Sequence, residues 1–333
     1  MANEASVVLP ALVRMGLAAA EDNPEIVPLT GGVSSLIVRV ETHDGPLCIK
    51  QALPELKVAS HWTAPLARNH AELAWIREVA QTLPKAVPEI LGEDAQSYCF
   101  AMQWLPPERH PVWKIQLRDG PVSPDFAAQV AHQLALIHAA TANKPALAER
   151  FAYDRNFFEL RLDPYFGVTA QVHVDCAPML QTLIEQTANN RLALIHGDVS
   201  PKNILAGPDG PIFLDAECAV YGDPAFDVAF CLTHLIAKCL WRPAWTDDYL
   251  ACFDAFASHY LAGVDWEAVD VIEARTETLL AAILLARVDG KSPLEYLTES
   301  DRVQLRAFAR RWLLSPATRL AAMRAAWKEE LAA

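Results

Sequence analysis

Four apolar residues, Leu192-Ala193-Leu194-Ile195, run straight into His196-Gly197-Asp198. A run this short, punctuated by Gly197 and Pro201, predicts a buried strand that ends in a loop. The pattern recurs in Ile204-Leu205-Ala206 and Ile212-Phe213-Leu214, separated by Gly207-Pro208-Asp209-Gly210, which predicts a β-hairpin. Asn203 enters that hairpin and Asp215-Ala216-Glu217 leaves it. The two ends should therefore lie side by side, with Asp198 close by. Asp223-Pro224 then reads as an N-cap followed by proline at the first helical position, which puts Asp227 in the first turns of a helix.

Upstream, residues 10–22 predict a short helix, and Ile26-Val27-Pro28-Leu29 opens a β-rich stretch. Leu36-Ile37-Val38-Arg39-Val40 and Leu47-Cys48-Ile49-Lys50-Gln51 follow, with a turn at His43-Asp44-Gly45. Thr30-Gly31-Gly32-Val33-Ser34-Ser35 is a small-residue loop between the first two runs. Gly31, Gly32 and Ser34 suit a turn whose amides approach a phosphate, and equally a plain Gly-Gly hairpin. Residues 65–82 carry helical spacing, a turn is expected at Gly92, and Tyr98-Cys99-Phe100-Ala101-Met102 is a last strand. Beyond it Gln103-Trp104-Leu105-Pro106-Pro107 reads as a hinge. Ser123-Pro124-Asp125 starts a helix, and after Pro224 the chain is helical, including the apolar run 278–286 that stops at Arg287 and Gly290. The fold class is α+β, with a small antiparallel β lobe over residues 1–103 and a larger, mostly helical lobe over 104–333.

A net charge of −13 without a basic stripe argues against a nucleic-acid partner. Seven cysteines with no C-x-x-C pair form neither a disulfide framework nor a zinc site. No basic leader precedes the first apolar stretch, and no run approaches membrane-spanning length, so the expectation is a cytoplasmic protein without a membrane partner. A homodimer is left open.

The hairpin exits bring together Asp198, Asn203, Asp215 and Glu217, a carboxylate-rich cluster that calls for a cation among hard oxygen ligands, hence Mg²⁺. An Asp, an Asn five residues later and a further Asp after a hairpin is the spacing of phosphoryl transfer, in which the first Asp orients the acceptor hydroxyl and the other two hold metal. Lys50, in a strand after a Gly-rich turn, falls where the nucleotide phosphates are gripped. Glu72 is its expected partner, with Glu78 as the competitor on the same helix. Backbone groups of Gln103, Trp104 and Leu105 would meet an adenine edge, with Trp104 flanking the base or packing between lobes. His132 and His138 read as surface or satisfied core residues. His196 reads as a base or a brace of the loop, and Lys202 as a phosphate contact or an exposed lysine.

His196-Gly197-Asp198, Asn203 and Asp215-x-Glu217 resemble the aminoglycoside phosphotransferase and choline kinase branch of the protein-kinase-like fold. The resemblance implies a two-lobed kinase that uses ATP and Mg²⁺. Asp198 would be the catalytic residue, Asn203, Asp215 and Glu217 the metal site, and Asp227 the brace of the catalytic loop. Residues 49–54, Trp62, Arg68 ahead of Glu72, Asp163-Pro164-Tyr165 and the run 215–227 are similar to methylthioribose kinases. In those enzymes an arginine pair holds the substrate. Arg287 matches one member and Ala286 fills the other place, while Ser200-Pro201-Lys202-Asn203 replaces their His-Thr-Gly-Ser. The expected activity is phosphorylation of an alcohol on a small hydroxylated, sugar-like molecule. The rivals are a kinase-fold scaffold without turnover and a metal-dependent phosphohydrolase.

Overall fold

The computed structural model describes residues 2–29, 35–54, 65–317 and 319–332. Helix α1 (Ala2–Met15) precedes strands β1 (Glu25–Pro28), β2 (Ser35–Thr42) and β3 (Gly45–Ala52). Helix α2 (Arg68–Thr82), β4 (Ile90–Asp94) and β5 (Cys99–Gln103) complete an antiparallel sheet of order β1-β2-β3-β5-β4. Two-residue alternation assigns its faces. Val38, Val40, Leu47, Ile49 and Ala101 pack with Val8 and Leu12 of α1, while Cys48, Phe100 and Met102 face the core that includes Leu73 and Ile76 of α2. Lys50 shares the α2 side with Cys48, and so points toward the rest of the molecule.

Two expectations need correction here. The N-terminal helix begins at Ala2 and ends at Met15, with Pro10 inside it. Gly92 is no turn: it lies within β4, where a bulge shifts the register against β5 between Ile90 and Gly92. A side chain there would press on Met15, 3.0 Å away, so the glycine serves packing under α1.

The remainder is helical around two short strand pairs. In order come α3 (Trp113–Asp119), α4 (Pro124–Thr141), α5 (Pro145–Arg150), α6 (Asp154–Phe157), a π-helical stretch Phe158–Gly167, α7 (Val168–Val172) and α8 (Ala177–Asn189). Next are β6 (Ala193–Ile195), β7 (Ile204–Gly207), β8 (Gly210–Phe213) and β9 (Val220–Gly222), in which β6 pairs with β9 and β7 with β8. Helices α9 (Pro224–Trp241), α10 (Thr246–Ala262), α11 (Val269–Asp289), α12 (Glu299–Leu314) and α13 (Leu320–Ala332) follow. The expectation that no run approaches membrane-spanning length is also corrected. Helix α9 is long and apolar enough to span, but 94% of it is buried inside the fold, where it is a core helix.

Candidate active site

The loop from β6 to β7 is held from below by α9. Asp223 caps that helix, accepting from the Ala225 amide at 3.0 Å, and Pro224 takes the first helical position. One turn on, the fully buried Asp227 accepts the amides of His196 (2.7 Å) and Gly197 (2.8 Å), which fixes the loop as it leaves the strand. Gly197 has φ +76°, and a Cβ there would lie 2.6 Å from the Cys218 carbonyl, so only glycine fits the turn. His196 accepts the Asp198 amide on Nδ1 (3.1 Å) and donates from Nε2 to the Leu214 carbonyl (3.0 Å). Both ring nitrogens are thus engaged with backbone, and burial lowers its pKa despite Asp227 and Asp198, giving a neutral ring that ties the loop to the strand end. Of the two readings of His196, the geometry matches the brace.

Asp198 is 5% exposed. Its Oδ2 meets Arg161 at 2.8 Å and Lys202 at 3.4 Å, while Oδ1 has no partner among the described residues. Burial pushes its pKa up, but Lys202 and Arg161 outweigh burial and leave it below the ordinary value. Asn203 donates to the Asp198 carbonyl at 3.1 Å, and its own carbonyl accepts the Leu214 amide at 2.9 Å, which sets it beside the hairpin exit as its spacing requires. Asp215 stands in the left-handed region at φ 68°, a conformation that aspartate holds only where its surroundings impose it.

Lys50, 2% exposed, crosses from the sheet into this cluster. Its Nζ contacts Asp215, Glu72 Oε2 at 2.7 Å and Glu217 Oε1 at 3.1 Å. Glu78, the competitor to Glu72, pairs instead with Arg150 on the outer surface. Glu217 also accepts from Ser35 (2.6 Å) and from Arg68 Nε (3.0 Å), so both its oxygens receive donors from the sheet and α2. Oxygens of Glu72, Asp215 and Glu217 lie within 4.8 Å of one another. Burial pushes Glu72 up to about 8, with Lys50 opposing and Asp215 and Glu217 adding to the rise. For Asp215, Lys50 and then Lys202 override burial and hold the carboxyl well below its usual range. The oxygens of the cluster are hard donors drawn within reach of one ion, which fits a divalent cation.

At the hinge, the Gln103 amide donates to the Glu89 carbonyl (2.8 Å), while the Trp104 and Leu105 amides have no backbone partner among the described residues. Trp104 lies under Arg39, 5.2 Å from its ring centre. Gly31, Gly32, Ser34 and Trp62 lie outside the described residues. Arg287 lines the same 340 Å³ cavity as Asp198, Lys202, Asp215 and Glu217. His132 is exposed, and His138 is a satisfied core residue between Asp227 (3.3 Å) and Tyr260 (2.8 Å).

Sequence reasoning missed Arg161, whose guanidinium also donates to the Gly197 carbonyl at 2.6 Å. It sits with Tyr165 one turn on in the π-helical stretch, a type of backbone frequent at functional sites, and Pro164 within a helical pattern was the available signal. It also missed Lys238, which lines the cavity from α9.

A site of lysine and carboxylates built between a five-stranded sheet and a helical body is the arrangement to compare with known proteins, and the chain belongs to a family of phosphotransferases. Residues 25–260 match the phosphotransferase enzyme family. Among curated proteins the chain is similar to a methylthioribose kinase of Yersinia enterocolitica, 26% identical over 56% of this chain and 53% of that one. A methylthioribose kinase of Pectobacterium carotovorum is 24% identical over 75% of this chain and 72% of that one. The chain thus spans little more than half the length of the first of these relatives. Its fold is that of an ethanolamine kinase of Plasmodium vivax (TM-score 0.56, 13% identity, 96% of this chain and 88% of that one). An aminoglycoside phosphotransferase of Alicyclobacillus acidocaldarius shares it too (TM-score 0.50, 16% identity, 97% and 96%).

Proposed function

We propose that the protein is an ATP- and Mg²⁺-dependent small-molecule kinase that transfers the γ-phosphoryl group to an alcohol hydroxyl of a sugar-like metabolite. The observation that carries this reading is the joining of Lys50, from the sheet, to Glu72, Asp215 and Glu217 beside the cavity that holds Asp198. A scaffold has no use for a buried lysine shared by three carboxylates. A phosphohydrolase leaves Lys50 and its sheet without a task.

Asp198 is ionised at neutral pH, and its Oδ1 is the atom able to accept the acceptor hydroxyl's hydrogen bond and take its proton as the P–O bond forms. Arg161 and Lys202 hold the other oxygen, so the carboxylate is oriented before substrate arrives. Lys50, fixed by Glu72, is placed to grip nucleotide phosphates. Asp215 and the side-chain oxygen of Asn203 would hold Mg²⁺, with Glu217 acting at one remove because its oxygens already serve Ser35, Lys50 and Arg68. Bound there, the ion would neutralise charge on the transferring phosphoryl group. Trp104 and Leu105 would receive the base.

Release of ADP in a coupled assay, over methylthioribose, other pentoses, choline, amino alcohols and aminoglycosides, tests the activity. Asp198→Asn should keep nucleotide affinity while turnover falls by roughly two to four orders of magnitude. Near-normal turnover in that variant would remove Asp198 from the chemistry.

A further inference from the structure

Five basic side chains, Lys114, Arg161, Lys202, Lys238 and Arg287, line the cavity beside Asp198 in a chain of net charge −13, and the four carboxylates of the lining, Asp198, Asp215, Glu217 and Glu295, do not meet them evenly. Three of the five have counter-charges. Arg161 and Lys202 are engaged with Asp198 at 2.8 and 3.4 Å, and Lys114 with Glu295 at 2.7 Å. Among the described residues Lys238 and Arg287 make no ion pair, and Glu295, which acts on both from beyond that distance, is already taken by Lys114. Lys238 is 1% exposed, and among the described residues no carboxylate lies within ion-pair distance of its Nζ, which rests 4.7 Å from the Trp241 ring centre and 5.2 Å from that of Tyr296. Arg287 uses one terminal nitrogen on Ser292 (carbonyl 2.5 Å, hydroxyl 2.9 Å) and on the Tyr165 hydroxyl (3.3 Å), and its Nε is buried with no partner.

The two belong to one wall. Phe230, His234 and Lys238 follow one another at four-residue spacing along α9, all lining the cavity, and Phe230 lies 5.5 Å from the Arg161 guanidinium. Tyr165 carries Arg161 on its ring at 5.7 Å and Arg287 at 5.9 Å. Lys238 is therefore roughly 12 Å along the helix from the residue beside Asp198's partner, at 1.5 Å per residue. His234, between them, is pushed well below the ordinary histidine value by burial and then by Arg287, Lys238, Lys202 and Lys114, so it adds no charge to offset theirs.

We propose that the acceptor carries an anionic group, carboxylate or phosphate, which docks against Lys238 and Arg287 while its hydroxyl lies at Asp198. This names the substrate class of the phosphotransfer reading and rests on it for the direction in which the acceptor lies. A buried ammonium with no anion in contact is costly to keep, and a ligand that supplies one lowers that cost. Arg287's unpartnered Nε–H suits an oxyanion, and Lys238 adds a point charge. A cationic acceptor such as choline or an aminoglycoside would meet repulsion from both.

The test compares ribose, ribonate and ribose 5-phosphate as acceptors in the ADP-release assay, with wild type, Lys238→Met and Arg287→Met. In parallel, ribonate and ribose 5-phosphate binding is measured by calorimetry on protein saturated with Mg²⁺ and a non-hydrolysable ATP analogue, so that the nucleotide site is filled. The expected result is a kcat/KM for ribonate or ribose 5-phosphate far above that for ribose, whichever of the two wins identifying carboxylate or phosphate. Each variant should raise that acceptor's KM by roughly ten- to a hundredfold, the range for a lost charge-assisted hydrogen bond, and leave the ATP KM unchanged. Lys238→Met removes a buried charge at similar volume, so it should fold. Ribose used as well as its anionic counterparts, or anion binding untouched by Lys238→Met, would overturn the proposal. Anion binding that depends on Lys238, in a protein that turns over no acceptor, would uphold the anionic site and overturn the kinase reading instead.

Discussion

Lys238 sits in a dry wall of the cavity, where burial and then Lys114 lower its pKa to about 7, with Glu295 the opposing influence. The groups facing it are Lys114 from α3, Glu295 and Tyr296 from the segment after α11, and Trp241 and His234 on its own helix. Because the folded value lies below the ordinary 10.5, the unfolded chain binds the extra proton between about pH 7 and 10.5. Stability should therefore rise with pH across that window, by at most ~1.4 kcal/mol per pH unit, and Lys238→Met should flatten the slope. An anion seated against Lys238 favours the charged form. Its binding should take up a proton above about pH 7, and its KM should climb by no more than about tenfold per pH unit. Acceptor KM against pH in wild type and Lys238→Met checks this, and parallel profiles would show that Lys238 is not titrating beneath the ligand. In the sequence Lys238 stands as the single Lys, Arg, Asp or Glu between Asp227 and Arg242, a visible oddity whose role depends on Tyr296 and Glu295 far along the chain. Arg161 was hidden for the same reason, since its Gly197 contact spans 36 residues. Asp198, Asn203 and Asp215 were readable because one short hairpin sets their mutual placement.

Helix α9 connects several of these residues, and its start governs the loop above it. Asp223 caps the helix and also receives Arg275, Nε and a terminal nitrogen each at 3.1 Å, while Arg275 holds Glu267 at 2.7 Å. Asp227, one turn later, can grip the His196 and Gly197 amides only if that first turn is in place. Asp223→Ala should destabilise the fold by about 0.5–2 kcal/mol, the usual cost of a lost N-cap, and should lower kcat more than it raises the ATP KM. Asp223→Asn keeps the cap and gives up the ion pair, so it should recover most of the activity; denaturant unfolding with parallel kinetics separates the two contributions. An Asp223→Ala enzyme of unchanged kcat would show that the loop does not need this helix end. The N-cap was legible because Asp-Pro is a local signal. The run of β4 through Gly92 was not, because Met15 and Leu17 pack against Gly92 and that tertiary contact prevailed over local punctuation.

At the scale of the molecule, the sheet and the helical body meet through the candidate active site. Trp75 of α2 stands edge-on to His196, 4.9 Å between ring centres, and the Glu217 carboxylate receives Ser35, Lys50 and Arg68, all from the first 68 residues. Its backbone carbonyl, in turn, accepts Asn156 at 2.6 Å. Glu217 is therefore a latch as much as a candidate metal ligand, whereas Asp215, with a side chain 31% exposed toward the cavity, is free to take a ligand on one side. The two roles separate experimentally. Glu217→Gln keeps the shape and removes the charge, and should lower stability by about 1.5–3 kcal/mol, the range for a hydrogen bond to a charged group. It should raise the Mg²⁺ requirement only modestly. Asp215→Asn should do the reverse, weakening Mg²⁺-nucleotide binding strongly with a smaller loss of stability, because Lys50 keeps Glu72 and Glu217. Thermal unfolding of both variants, with Mg²⁺ titrated at fixed ATP, orders them. If Glu217→Gln melts like wild type yet needs far more Mg²⁺, Glu217 is a direct metal ligand, and the joint between the sheet and the helices rests on Lys50 and the Trp75–His196 contact instead.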